Sequence, residues 1–212
     1  MTTLLKVYNG ALTELGSRQL SSAAENIESR RVLDVAYDDC VEFCLAKGQW
    51  NFATRTIKLD SDTGITTNFG FAEVFSQPTD FVRTVGLSGD AQNDVPLGDE
   101  EYKNENGYFF SDITPIYLRY VSNGASYGTD LTKWPGLFTR YVQCELATRV
   151  CKRITGKDPG QALMVNTRRA LRDALGKDAM DGGTVTVRSG RLVSARAGPL
   201  RTDRGSRSRL IG

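Results

Sequence analysis

Histidine is absent from the 212 residues. That removes Ser-His and Cys-His nucleophile pairs, and every histidine metal site, before any motif is considered. Long apolar runs are missing too. No window approaches the roughly 18 to 20 apolar residues of a membrane span, and the N-terminus lacks the basic segment and apolar stretch of a secretory signal. Cysteine is sparse: Cys40, Cys44, Cys144 and Cys151 all fall within apolar helical patterns. Small disulfide-stapled secreted domains instead place their cysteines between short loops. These absences predict a soluble chain with reduced thiols, made in a cytosol and without a membrane partner. Phosphate loops are also lacking, since no Gly-x-Gly-x-x-Gly follows a strand pattern and no Gly-Lys-Ser/Thr occurs. No aromatic residue follows Tyr141, so the last third of the chain has no platform for stacking single-stranded bases.

What is present is a charge asymmetry hidden in a formal total of +2. From Gly182 onward, seven arginines stand against Asp203 alone, which makes that segment +6 and leaves −4 for the rest. A basic tail on a mildly acidic body suits nucleic-acid phosphates or an acidic protein surface.

Hydrophobic periodicity divides the chain. Leu4, Tyr8, Ala11, Leu12 and Leu15 recur at helical spacing, and Gly16 supplies a left-handed cap. A second helix is expected over residues 23–47, with Ile27, Leu33, Ala36, Tyr37, Cys40, Val41 and Cys44 on one face and Gly48 as its stop. From Trp50 the period changes to that of strands: residues 52–59, Phe69, Phe71 and Phe75, then 81–87, 108–110 and 116–121, separated by turn formers and by Pro78. These segments predict one small, mostly antiparallel sheet of four or five strands. Helical spacing resumes after Trp134-Pro135 and runs through Phe138, Tyr141, Val142, Leu146, Ala147, Val150, Cys151 and Ile154 to Gly156. Asp158-Pro159 reads as the N-cap and first residue of a fourth helix, ending by Gly182-Gly183. Its narrower apolar face predicts that its other sides meet solvent or neighbouring subunits. The expected fold class is α+β. A helical body (1–49 and 134–181) is interrupted by a β-rich insertion (50–133) and followed by an extended basic arm (182–212).

Within the arm, Thr184, Val185, Thr186, Val187 and Arg188 alternate as a strand does, and Leu192-Val193 forms a second short run. Arg191, Arg196, Arg201, Arg204, Arg207 and Arg209 lie among Gly, Ser and Pro with little to bury. Such a segment orders only on a partner. Protein docking by strand addition, with arginines on an acidic rim, is the preferred reading over nucleic-acid contact or plain disorder.

Three local motifs resemble chemical sites. Asp62-Thr63-Gly64 matches the core of an aspartic-protease loop, yet one copy provides one carboxylate where two must share a proton; a turn between strands accounts for it. Asp60 to Gly64 also begins like a calcium loop, but Phe71 stands where the bidentate glutamate belongs. The four cysteines on two packed helices make a thiolate zinc site conceivable; buried cysteine as a small apolar residue is the simpler expectation. Asp38-Asp39 and Asp99-Glu100-Glu101 read as solvated faces. No catalytic residue, cofactor or metal is therefore expected.

Several segments, in order, carry a resemblance. They are Leu-Leu-Lys-Val-Tyr-Asn closing at Leu15-Gly16, Lys47-Gly-Gln-Trp-Asn-Phe52, Phe75-Ser-Gln-Pro-Thr-Asp-Phe-Val-Arg83, Ile116-Tyr-Leu-Arg-Tyr120, and Trp134-Pro135 leading to Phe138 and Glu145-Leu-Ala147. Over nearly residues 1–181 the chain resembles the tail tubular protein A family, the head-to-tail adaptors of short-tailed bacteriophages. It departs from the family's glycine-aromatic-aromatic run, because Gln49 and Asn51 separate Gly48, Trp50 and Phe52. The resemblance implies a twelve-fold ring of this chain that docks on the portal protein and attaches a tail nozzle of the tail tubular protein B kind, with tail fibres or spikes. It further implies that the ring lines the passage of genomic DNA without reading its sequence. The location implied is the head-tail junction of a virion, after synthesis in the host bacterial cytoplasm. The arm would then bind portal or a neighbouring subunit. Trp50, Phe52, Phe75, Pro78, Phe81, Tyr120 and Trp134 would form the structural junction between body and insertion. The alternative function is a small DNA-binding protein using the arginine tail; a hydrolase built on Asp62 is the third reading.

Overall fold

The computed structural model describes residues 2–182 except 66, 68, 69 and 92–95 and 99. Among them are four helices and two small antiparallel sheets, so the fold is α+β. Helix α1 (Leu4–Glu14) begins where the Thr3 hydroxyl accepts from the Lys6 amide at 3.3 Å. It ends at Gly16 (φ 65°), with the Ser17 amide bonded back to the Leu12 carbonyl at 2.9 Å, a left-handed closure that glycine adopts without strain.

Helix α2 spans Glu28–Ala46, five residues shorter at its start than the pattern predicts. The Glu25 carboxylate accepts from the Ser21 amide (2.7 Å) and from Arg18 (2.9 Å), while Asn9 holds the Leu20 amide at 2.7 Å. These side-chain bonds give residues 20–25 a stable non-helical course. Helix α3 (Gly136–Thr155) closes on Gly156 (φ 70°). Helix α4 (Gln161–Asp181) starts two residues later than the Asp158-Pro159 signal suggests. Gly160 provides the first accepting carbonyl, to the Leu163 and Met164 amides, and Asp158 pairs instead with Lys152 at 3.0 Å. Helices α1, α2 and α4 all pack on α3. That central position explains why α3 buries nine residues.

Between α2 and α3 lie six described strands: β1 (Thr54–Leu59), β2 (Glu73–Ser76), β3 (Phe81–Ser88), β4 (Tyr102–Glu105), β5 (Tyr108–Ser111) and β6 (Ile116–Ser122). They form two three-stranded sheets, ordered β1-β6-β3 and β2-β5-β4, where one sheet was expected. Strand β4 escapes the sequence pattern because Lys103, Asn104 and Glu105 are exposed on a sheet edge, where charge is tolerated and often favoured. Phe71 lies outside any strand, and Phe69 lies outside the described residues.

Two hydrophobic cores result. The larger gathers α1 to α4 with Trp50, Ala53, Val121 and Trp134. The smaller contains Phe75, Leu87, Phe109, Ile116, Leu118 and Tyr120, drawn from both sheets. Strand β6 serves each core by its alternation: Ile116, Leu118 and Tyr120 enter the smaller and Val121 the larger.

Candidate functional site

Six of the seven predicted junction residues divide between the cores, and the seventh, Pro78, lies in the segment that connects them. Trp50, Phe52 and Trp134 join the helical core, whereas Phe75, Phe81 and Tyr120 belong to the core between the sheets. Trp50 is 1% exposed, meets Phe138 edge-on at 4.8 Å, and donates its indole N–H to the Cys44 carbonyl at 3.0 Å, one of the last carbonyls of α2. Trp134 likewise packs on Phe138 at 5.1 Å and donates to the Gly128 carbonyl at 2.8 Å. On the other side, Phe81 lies 6.0 Å from Phe109 and 5.8 Å from Tyr120.

Residues 78–85 connect the two. The Pro78 carbonyl accepts from the Phe81 amide at 3.1 Å, turning the chain into β3. Strand β3 slips register against β6 between Phe81 and Arg83 and again between Thr84 and Gly86. The two bulged residues, Val82 and Val85, pack on the helical core, while Phe81 stays in the sheet core. Arg83 reaches the Ala46 carbonyl at the end of α2 (3.3 Å), where a cation satisfies an otherwise unpaired acceptor.

Asp80 is the polar centre of this joint, with a side chain only 17% exposed. Its carboxylate accepts from Arg55 Nη1 of β1 (2.9 Å), from the Tyr120 hydroxyl of β6 (2.8 Å) and from the Ser122 hydroxyl at a short distance. Its carbonyl accepts from the Asn123 amide at 3.0 Å. Burial alone raises its pKa, but the three donors and the Arg55 charge outweigh that and hold it below the usual carboxylate range. The phenol of Tyr120 is pushed up, by burial first and by its bond to Asp80 second. This cluster ties three chain segments together. Sequence reading placed Asp80 in the right stretch without a role; a carboxylate after Pro-Thr that alternates into apolar strand was the available signal.

A second clamp joins α4 to the segment after α2. The Asp178 carboxylate of α4 accepts from the Asn51 amide at 3.0 Å, and Asn51 Nδ2 donates to the Asp178 carbonyl at 2.7 Å. Burial raises the Asp178 pKa, opposed by the Asn51 bond. The pairing is separated by 127 positions and leaves no trace in local pattern.

The three site-like motifs take structural places. Asp62 accepts from the Gly64 amide (3.0 Å) and from Ser76 (2.9 Å), closing the turn before β2. All four cysteines are free and buried. Burial pushes the Cys144 thiol up to about 11 and raises Cys44 as well, which keeps both protonated. Among the described residues no cluster of three or more His, Cys, Asp or Glu could hold a metal ion. No described helix is long and apolar enough to cross a membrane. The arm residues Thr184, Val185, Thr186, Val187, Arg188, Arg191, Leu192, Val193, Arg196, Arg201, Arg204, Arg207 and Arg209 lie outside the described residues.

A groove of about 510 Å³ runs between α2 and α3, with Val32, Val35, Ala36 and Val150 among its lining residues. Arg31, Arg149, Arg153 and Glu28 rim it, and Val35 is 83% exposed in the middle of its helix. At the far end of α4, Met180 is 82% exposed beside Asp181. Sequence comparison returns no matching protein-family model and no matching curated protein. The class is thus set by the fold: an α+β body with two cores and a polar joint.

Proposed function

We propose that this chain is a structural protein, a head-to-tail adaptor of a short-tailed bacteriophage. In this reading it forms a twelve-fold ring on the portal protein, lines the DNA passage and attaches the tail nozzle, with the fibres or spikes around it. The observation that supports it is where the resembling segments lie. Lys47 to Phe52, Phe75 to Arg83, Ile116 to Tyr120 and Trp134 to Phe138 meet at the joint between helical body and β insertion, including the Asp80 cluster and the Arg83 cap on α2. A body braced in this way can carry load along a tail, and a seven-arginine arm beyond Gly182 suits an acidic docking surface. Ordering the arm only on its target makes assembly sequential, because the binding site is complete only on a finished portal.

The test is sedimentation of the full chain, and of a chain ending at Gly183, with portal rings of the same virus. The full chain is expected to co-sediment and the shortened one to lose most of its binding; equal binding by both removes the role of the arm. Absence of portal binding by the full chain, together with tight, salt-sensitive binding to duplex DNA, favours the DNA-binding reading instead. Cryo-electron microscopy of the mixture counts the subunits in the ring.

A further inference from the structure

The outer face of the first half of α4 carries three arginines that no acid engages. Thr167, Ala170 and Ala174 are the buried residues of this helix, on the side that packs against α3. At 3.6 residues per turn, Arg168, Arg169 and Arg172 therefore turn outward, and all three are exposed. Among the described residues none of the three makes an ion pair or a hydrogen bond. The later charges of α4 are differently placed: Asp178 holds Asn51, and Lys177 pairs with Asp181. Asp173 stands one turn beyond Arg169 without pairing with it. No acidic residue and no lysine occurs from Pro159 to Arg172, so that stretch has a charge of +3. Arg168 and Arg172 stand at i and i+4, where like charges destabilise a helix. The fold thus gains nothing from them.

We propose that this face of α4 is a contact surface for duplex DNA, with the guanidinium groups of Arg168, Arg169 and Arg172 on backbone phosphates. Arg168 and Arg172 are about 6 Å apart along the helix axis. A duplex offers one negative charge per about 1.7 Å of its length, so each guanidinium finds a phosphate and binds it through paired N–H donors. Contacts of that kind carry no sequence information. Helix α4 has no aromatic side chain on which an unpaired base could stack, which favours duplex over single strand. An acidic protein fits less well, because specific protein interfaces enclose an apolar centre. Here the neighbouring apolar side chains, Met164 and Val165, are 39% and 48% exposed and lie at one end of the patch. The inference rests on the adaptor reading only in that DNA passes the chain. It adds which face of the body touches that DNA, separately from the arginine arm.

Fluorescence anisotropy of a short labelled duplex, titrated with the full chain up to about 100 μM at salt from about 50 to 200 mM, tests it without portal. The variant Arg168→Gln/Arg169→Gln/Arg172→Gln alters exposed, unbonded side chains and is expected to keep the parent melting temperature. It is expected to bind at least about tenfold more weakly at the low-salt end and to lower the slope of log affinity against log salt by about 3. The same drop in slope is expected when Arg204, Arg207 and Arg209 of the arm have already been replaced by Gln, because independent sites add. Arg168→Lys/Arg169→Lys/Arg172→Lys keeps the charge and is expected to retain most of the binding. A parent without measurable binding at low salt, or a Gln variant with the parent slope, overturns the proposal. So does a parent that prefers poly-glutamate to duplex through these arginines, which assigns the face to an acidic protein. Portal co-sedimentation is expected to be unchanged in the Gln variant and separates the two readings. Portal binding with an unaltered salt slope sinks the α4 contact alone, and a reduced slope without portal binding by the parent sinks the adaptor alone.

Discussion

Three donors converge on Asp80 from β1 and β6, and their number decides its charge state. Because its pKa is held below the ordinary value, the ionised form is the one the fold prefers. Its contribution is therefore complete at neutral pH and lost as pH falls through the folded-state pKa. Asp80→Asn is expected to cost about 2 to 3 kcal/mol at pH 7, the scale of hydrogen bonds to a charged group. Urea denaturation at pH 7 and again near pH 3 checks the sign, since the gap between variant and parent should shrink in acid. Trp50 acts by volume as well as by its indole bond. Trp50→Ala is expected to lose about 3 to 5 kcal/mol, through the cavity and the unpaired Cys44 carbonyl. A loss below about 1 kcal/mol would contradict its burial.

At the scale of elements, Gly48 shows what a helix stop can do beyond stopping. A Cβ there would lie 2.7 Å from Leu175 of α4 and 2.8 Å from the Trp50 ring, so glycine lets the α2 exit, the Trp50 segment and α4 approach one another. Gly48→Ala is expected to destabilise by about 1 to 3 kcal/mol through overpacking, read as a lower urea midpoint with unchanged slope. Element existence was legible wherever period and caps agreed, as in α1 and α3. It failed at β4, whose polar exposed side chains carry no apolar alternation, and at the start of α2, where Glu25 and Asn9 hold the chain in turns. The bulges in β3 were equally hidden, because Phe-Val-Arg-Thr-Val reads as plain strand while register depends on the partner.

In the whole molecule, β6 and β3 belong to both cores, so neither core is expected to melt without disturbing the other. Both tryptophans report on the helical core. Phe109→Ala, wholly within the sheet core, is thus expected to shift the tryptophan fluorescence transition along with the far-UV circular dichroism transition, by about 3 to 5 kcal/mol. Two separated transitions would show that the cores unfold independently.

The sequence by itself determined the α+β class, the order of helices around a β insertion, the burial of the cysteines and the charge asymmetry, because those follow from local period, caps and counting. Only the tertiary structure decided that Trp50 and Phe75 serve different cores, that Asp80 gathers Arg55, Tyr120 and Ser122, that Asn51 meets Asp178, and that Val35 is left uncovered. Each of these depends on residues far apart in the chain meeting, or failing to meet, in space, and hydrophobic period carries no record of which distant neighbour a side chain will find.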